Sequence, residues 1–101
     1  LLSGLALSDG VLDPSFDQNT FAYASEVVDA ISFVSATPTA AQENATIEVR
    51  VNGGGYSVVT SGSPSDPLGL STGANTIDVR VTAQDAVTVN VYTITVTRLA
   101  P

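Results

Sequence analysis

Strict alternation of apolar and polar residues is the feature that most constrains the fold of this chain. Ile47, Val49 and Val51 alternate with polar or charged residues, and residues 77–83 repeat the pattern. A period of two places the apolar side chains on one face of a β-strand. The chain also contains 14 Val and 12 Thr, and both residue types favour strands. These patterns predict an all-β domain, and we find no stretch typical of a helix of normal length.

Turn signals rich in Gly, Pro, Asn, Asp and Ser separate the predicted strands at intervals of about ten residues. The predicted turns and loops are 8–10, 17–20, 52–55, 61–67, 72–75 and 84–85. Strands are predicted over 21–27, 31–37, 47–51, 56–60, 77–83 and 87–98. Pro38 is expected to end the second of these. Residues 5–16 are expected to form a short strand and then an irregular apolar plug around Val11, Leu12 and Phe16.

The last predicted strand changes its apolar phase along its length. The odd-numbered set is Val87, Val89 and Val91, and the even-numbered set is Tyr92, Ile94 and Val96. Because side chains alternate between the faces of a strand, the two sets cannot share one face without a bulge or a change of partner. We expect the even set to face the core. We expect the odd set to lie near a sheet edge or beyond a bulge.

Composition excludes several functional classes. The 101 residues contain no Cys, His, Lys, Met or Trp, and the net charge is −7. The chain therefore lacks a cysteine nucleophile, a thiolate metal site and a histidine general base. The negative charge opposes binding to nucleic acid and to anionic lipid, and no apolar run approaches the ~18 residues of a membrane span. We expect a single domain over residues 1–101, excised from a larger multidomain protein because it opens on Leu1-Leu2 without an initiator Met.

The acidic residues allow two readings of their role. Asp9, Asp13 and Asp17 lie in predicted turns, where Asp9 and Asp17 are expected to cap the turn through backbone N–H groups. Calcium binding by the same carboxylates is the alternative, although the chain lacks a recognisable calcium-loop motif. The carboxylates that could supply a pair for sugar hydrolysis are Glu26, Glu43, Glu48 and Asp78. Since no His or enclosed pocket is indicated, we predict no enzyme activity, no catalytic or metal-binding residue and no cofactor.

A candidate surface for a ligand or partner combines exposed valines, a row of threonines and one tyrosine. Its members are Tyr56, Val87, Val89, Val91, Thr93, Thr95 and Thr97. Tyr56 follows a glycine-rich turn and is expected to be exposed. A flat row of hydroxyl groups can meet polysaccharide, and it is equally typical of a solvated sheet face.

Four sequence blocks resemble the cadherin-like β-sandwich domain of bacterial and archaeal surface proteins. They are Leu2-Ser3-Gly4-Leu5-Ala6-Leu7-Ser8-Asp9-Gly10, which continues through Leu12-Asp13-Pro14-Ser15-Phe16 to Tyr23, then Ala36-Thr37-Pro38-Thr39-Ala40, Ser71-Thr72-Gly73-Ala74-Asn75-Thr76-Ile77 and Tyr92-Thr93-Ile94-Thr95-Val96-Thr97-Arg98. The chain departs from such domains at Ala86, where they often have Gly, and in an apparent glycine insertion at 52–55. The resemblance implies an immunoglobulin-like Greek-key sandwich of about seven to eight antiparallel strands. It implies no catalytic residues.

Two functions follow from this reading. The first is a non-catalytic spacer or presentation module at the surface of a prokaryotic cell, or in a secreted protein, with neighbouring domains of the same chain as partners. The second is a binding module for polysaccharide or a protein. A spacer needs its ends apart. If the opening segment and strand 21–27 form one split traversal, about seven traversals place Leu2 and Arg98 some 30 Å or more apart.

Overall fold

The computed structural model describes residues 2–42 and 44–101, and within them the fold is all-β. The strands are β1 (Leu2–Leu7), β2 (Ala22–Val27), β3 (Phe33–Val34), β4 (Ala36–Ala40), β5 (Thr46–Val51), β6 (Ser57–Val59), β7 (Leu68–Gly69), β8 (Gly73–Thr82) and β9 (Val89–Arg98). The predicted fold class is confirmed. The last strand begins at Val89 rather than residue 87, and β8 equals it in length at 10 residues.

The strands form two layers around one core. Five strands make the main sheet, in the order β2-β9-β8-β5-β6, and the ladders β1-β4 and β3-β7 make the opposing layer. The alternation predicts the inward face of the main sheet correctly, since Ile47, Val49, Ile77, Val79 and Val81 are all buried. The pairing register places Ile47 opposite Val81 and Val49 opposite Val79. Apolar side chains of both layers join in a single cluster.

Pro38 does not end a strand, contrary to the prediction. It lies within β4, opposite Leu5 of β1, and predicted strand 31–37 divides into β3 and β4. The Pro38 carbonyl accepts the N–H of Gly62 at 2.8 Å, so the backbone of Pro38 points away from β1. The N–H that Pro lacks would point the same way, and no rung of the β1–β4 ladder is lost.

The predicted turn at 72–75 is also wrong, because β8 already begins at Gly73. Asn75 explains the difference. Its buried Oδ1 accepts the Ser71 N–H at 2.8 Å and the Asn52 side-chain amide at 3.0 Å. Its Nδ2 donates to the carbonyls of Ser71, Gly73 and Val96. The Asn75 side chain therefore satisfies backbone groups of Ser71 and Gly73 that the hydrogen bonds of a turn would otherwise satisfy.

The opening of the chain differs from the predicted single split traversal. After β1 the chain turns back, and Asp13 pairs antiparallel with Ala24 through bonds of 2.9 and 2.8 Å. It then reverses into β2, which pairs with β9 in parallel rather than antiparallel. The Tyr23 hydroxyl holds the returning segment, accepting the Asp17 N–H at 3.0 Å and donating to the Asp17 carbonyl at 2.7 Å.

The turns and the apolar plug match the prediction in part. Asp17 Oδ1 accepts the Asn19 N–H at 2.8 Å, as predicted, whereas Asp9 makes no such side-chain bond to any described residue. Leu12 and Phe16 pack against the core, but Val11 is exposed. The reason is that the segment around Val11 lies along the edge of β2 and not between the layers.

Leu2 and Arg98 lie at different ends of the sandwich. The Leu2 N–H donates to the Tyr92 hydroxyl at 3.0 Å, and Arg98 follows Tyr92 along β9. Six residues of extended strand separate those two positions, which is roughly 20 Å. The domain measures 45 × 25 × 20 Å.

Candidate interaction surface

The surface that carries most of the predicted site residues is the solvent side of the main sheet, called here the outer face. It is formed by side chains that alternate with the buried ones on β5, β8 and β9. These are Glu48, Arg50, Thr76, Asp78, Arg80, Val89, Val91, Thr93, Thr95 and Thr97.

The predicted valines and threonines of β9 form one outward row. The β8–β9 register runs unbroken from Gly73 opposite Arg98 to Thr82 opposite Val89, so of the two predicted alternatives the bulge is not the one observed. Val89 and Val91 simply occupy the outer face, at 49 % and 39 % exposure. The expected proximity to an edge is right, because the pairing of β2 with β9 begins only at Thr93. Val87 lies outside the row in the β8–β9 turn, 81 % exposed.

Tyr56 is half-buried rather than exposed, and two guanidinium groups explain its position. Its ring centroid lies 3.9 Å from Arg80 Cζ and 4.6 Å from Arg50 Cζ. Such cation–π contacts contribute about 0.5–1 kcal/mol at exposed sites. The ring therefore rests on charged groups of β5 and β8, and it is separated from the valine and threonine row of β9 by strand β8.

Both arginines under Tyr56 also bind carboxylates across the β5–β8 ladder. Arg50 Nε lies 2.8 Å from Asp78 Oδ2, and Arg80 Nη2 lies 2.9 Å from Glu48 Oε1. The hydrogen bond to Asp78 raises the pKa of Arg50 above its ordinary value. These residues and Tyr56 form a group that we call the Tyr56 network. It reaches the β9 row where Thr93 Oγ1 donates to Asp78 Oδ1 at 3.1 Å.

The network accounts for two of the carboxylates considered for catalysis. Glu48 and Asp78 each bind an arginine, and Glu26 is exposed on β2. Glu43 lies outside the described residues. In the described part of the chain, no three acidic, His or Cys residues come together as a potential metal site.

Sequence reasoning missed Arg50 and Arg80, although a signal for them exists. Glu48 and Arg50 follow one another on the polar face of β5, and Asp78 and Arg80 do so on β8. In an antiparallel pair these two orders run in opposite directions, so each acid meets a base directly across the ladder. The observed register has that arrangement, with Glu48 opposite Arg80 and Arg50 opposite Asp78.

The third arginine anchors the end of β9. Arg98 donates to the Asp29 carbonyl at 2.9 and 2.6 Å and to the Leu70 carbonyl at 3.0 Å. It also lies 3.5 Å from the Asp29 carboxylate. Arg98 thus ties the last strand to both neighbouring loops, which gives the closing sequence block a structural role.

An open cleft of about 520 Å³ runs along β2, lined in part by Asp13, Glu26 and Thr97. Ser25 also lines it, and its Oγ is buried without a hydrogen-bond partner among the described residues. Gly10 packs directly on this hydroxyl at a φ of 85°, and a side chain at residue 10 would clash with it. Glycine at residue 10 therefore allows the returning segment to pack closely on β2 beside the cleft.

The layered fold and its paired outer face define a β-sandwich module. Residues 2–99 match the family model described as "Cadherin-like beta sandwich domain", and the chain belongs to this family. It is also 34 % identical over 97 residues to a protein of Evansella cellulosilytica named "Putative membrane protein". That match covers 96 % of this chain and 14 % of the relative, so the chain spans a small part of the relative's length. Within residues 2–42 and 44–101, no helix has the length and hydrophobicity to cross a bilayer.

Proposed function

We propose that the chain is a non-catalytic structural spacer, which holds neighbouring domains of a prokaryotic surface protein at a fixed distance. The observation that carries this proposal is the placement of Leu2 and Arg98 at different ends of the sandwich, roughly 20 Å apart along β9. A chain that enters at one end and leaves at the other extends a row of modules. The match to 14 % of a much longer relative supports a setting of this kind.

Direct attachment of both ends to the core supports the same proposal. Leu2 is fully buried and bonded to Tyr92, and Arg98 is fixed to Asp29 and Leu70. Both Leu2 and Arg98 are therefore fixed to the folded domain. A spacer with anchored ends transmits the position of one neighbour to the other.

A binding module for polysaccharide or a protein is the second candidate. Val58 is 74 % exposed on β6, and Val89 and Val91 are exposed on β9. Contiguous exposed apolar area marks an interaction surface more reliably than isolated residues do. Here the Tyr56 network lies between Val58 and the two valines of β9, which favours the spacer over the binding module.

The spacer proposal is tested by measuring the distance between the ends. Because the chain has no Cys, spin labels can be placed at two introduced cysteines, Ser3→Cys and Ala100→Cys. We expect a narrow distribution centred at about 25 Å, from the extended residues that separate Tyr92 and Ala100. A control pair, Gly55→Cys and Ala100→Cys, joins positions at one end of the sandwich and should give a shorter distance. Equal distances for the two pairs would contradict the proposal.

The second candidate is tested by glycan-array binding of the 101-residue chain and of Val91→Arg. Residue 91 is chosen because it lies on the outer face without contributing to the core. The spacer proposal predicts no binding by either protein. Binding that is lost in Val91→Arg would favour the binding module.

A further inference from the structure

We propose that the domain resists tension applied through its two ends, by means of two strand ladders that shear one after the other. This inference rests on the spacer function, since only a module in a row is pulled from both ends. The first ladder is β1–β4 and the second is β2–β9. Tension between Leu2 and Arg98 loads β1 against β4 first and then loads β2 against β9.

The β2–β9 ladder has the geometry that opposes such a force. Six consecutive pairs join the strands in parallel, from Ala22 opposite Thr93 to Val27 opposite Arg98. Force from the N-terminal side enters β2 at Ala22, whereas force from the C-terminal side leaves β9 at Arg98. The two strands are therefore drawn past each other along their length. The inter-strand hydrogen bonds run across that direction, so all of them strain together.

The far end of this ladder is closed by further bonds. The Leu99 N–H donates to the Val27 carbonyl at 2.9 Å and adds one rung beyond Arg98. The Arg98 guanidinium binds the Asp29 and Leu70 carbonyls on either side. Tension on the C-terminal end consequently meets bonds to the loops at Asp29 and Leu70 before it can peel β9 away.

The β1–β4 ladder lies upstream and is loaded first. Leu2 is the first residue of β1 and faces the last residue of β4, Ala40. A pull on Leu2 away from the domain draws β1 lengthwise along β4. After β1 leaves, the returning segment is held by the Asp13–Ala24 pair, the Tyr23–Asp17 bonds, the Tyr92–Gln18 bond and the packing of Leu12 and Phe16 on the core. Its release transfers the force to β2.

The inference predicts two unfolding events in a single-molecule pulling experiment. With handles at Ser3→Cys and Ala100→Cys, the first event should release residues 3–20, and the second should unfold the remainder. Roughly 18 residues at about 3.4 Å each correspond to about 60 Å of released chain in the first event.

A second pair of handles changes the direction of force. Gly55→Cys replaces a glycine at which an added Cβ meets open space, and it pairs with the same Ala100→Cys handle. Because both handles then lie at one end, β9 is peeled and its rungs break in turn. At one loading rate, we expect a higher unfolding force for Ser3/Ala100 than for Gly55/Ala100, by about twofold or more, since forced unfolding follows the unfolding rate along the pulled direction.

Equal unfolding forces in the two geometries would overturn the inference. The spacer function would survive that result if the label distances still placed the ends apart. Conversely, ends found close together would overturn the spacer function before any force is applied. The two failures are thus distinguishable.

A pair of proline variants tests the β2–β9 ladder itself. The Thr93 and Leu99 N–H groups donate to Phe21 and Val27, so odd-numbered residues of this part of β2 face β9. Ser25→Pro removes a rung, whereas Glu26→Pro loses an N–H that points away from β9. We expect only Ser25→Pro to lower the force of the second event, with the first event unchanged in both. Equal forces for the second event in the two variants, both folded by circular dichroism, would overturn the assignment of the second ladder.

Discussion

The Asp85 carboxylate closes the β8–β9 turn by binding Thr88 twice. Its Oδ1 accepts the Thr88 N–H at 2.9 Å, and its Oδ2 accepts the Thr88 hydroxyl at 3.1 Å. Oδ1 also accepts the Val87 N–H at 2.9 Å. These bonds to the ionised form, the Thr88 N–H first, lower the pKa of Asp85. The Asp85 carboxylate therefore stabilises the turn that joins β8 and β9, the two longest strands.

This arrangement predicts a dependence of stability on pH. A folded-state pKa below the unfolded value means that the stabilisation is present above pH ~4 and is lost as pH falls through the folded value. We expect the Tm of the wild type to fall over this acidic range more steeply than that of Asp85→Asn. Asp66→Asn, at another exposed carboxylate, serves as the control and should follow the wild type. Parallel curves for wild type and Asp85→Asn would contradict this role of Asp85.

Ala86→Gly should stabilise the domain. Ala86 has a φ of 61°, in the left-handed region that glycine adopts without steric cost. We expect a gain of about 0.5–1 kcal/mol in the free energy of unfolding, measured by urea titration. Ala83→Gly, three residues earlier at a negative φ, should instead lower stability. A loss of stability in Ala86→Gly would mean that the turn is held by contacts of the alanine methyl group.

The last strand allows a direct test of its inward and outward faces. Ile94 is 0 % exposed and Thr95 beside it is exposed. Ile94→Ala should cost about 2–5 kcal/mol through lost burial and a cavity, while Thr95→Ala should cost far less. Denaturant unfolding of both variants measures the difference. A larger cost for Thr95→Ala would place the strand in the opposite register.

Two buried serines should respond in opposite ways to loss of their hydroxyl groups. Ser25 Oγ is buried without a partner among the described residues. Ser65 Oγ accepts the Ala36 N–H and donates to the Asp66 carbonyl, both at 3.0 Å. Ser65→Ala should cost about 1–3 kcal/mol because it leaves a buried N–H unpaired. Ser25→Ala should leave stability unchanged or raise it by up to about 1 kcal/mol, as the unpaired hydroxyl is removed. A cost for Ser25→Ala close to that of Ser65→Ala would show that Ser25 has a partner in solution.

The domain is expected to fold independently of divalent cations. Only a ligand that binds the native state raises the Tm. Differential scanning calorimetry with chelator and with millimolar calcium should therefore give the same Tm. A rise of many degrees with calcium would favour the calcium alternative for Asp9, Asp13 and Asp17.

The sequence predicts the inward and outward faces of those strands in which apolar and polar residues alternate. The faces of β5, β8 and β9 follow from alternation, and burial confirms them at Ile47, Ile77 and Ile94. Pro38 is misjudged because its effect depends on which side of β4 carries a partner, and a single strand does not contain that information. Asn75 is misjudged because two of its five hydrogen bonds, to Asn52 and Val96, reach groups distant in sequence.

The candidate surface is predictable only in part for a similar reason. The outward row of β9 follows from its alternation with buried residues. Tyr56 is placed by Arg50 and Arg80, and their positions depend on how β5 pairs with β8. The parallel pairing of β2 was also outside the reach of local patterns. It requires the chain to double back around Asp13, where the apolar spacing indicates only an irregular segment.

Each of the three arginines lies against one of the ten carboxylates, and the seven acidic side chains that remain account for the net charge of −7. A row of such modules would carry charge of one sign along its whole length and gather a cloud of counter-ions. At physiological ionic strength that repulsion reaches only about 8 Å, which is enough to oppose lateral contact between neighbouring rows but too short to stiffen a row from one module to the next. At low salt the range grows to tens of ångströms and becomes comparable to the module itself. Spacing between rows would then vary with the ionic strength of the surroundings, while the spacing along a row stays fixed by the folded domains.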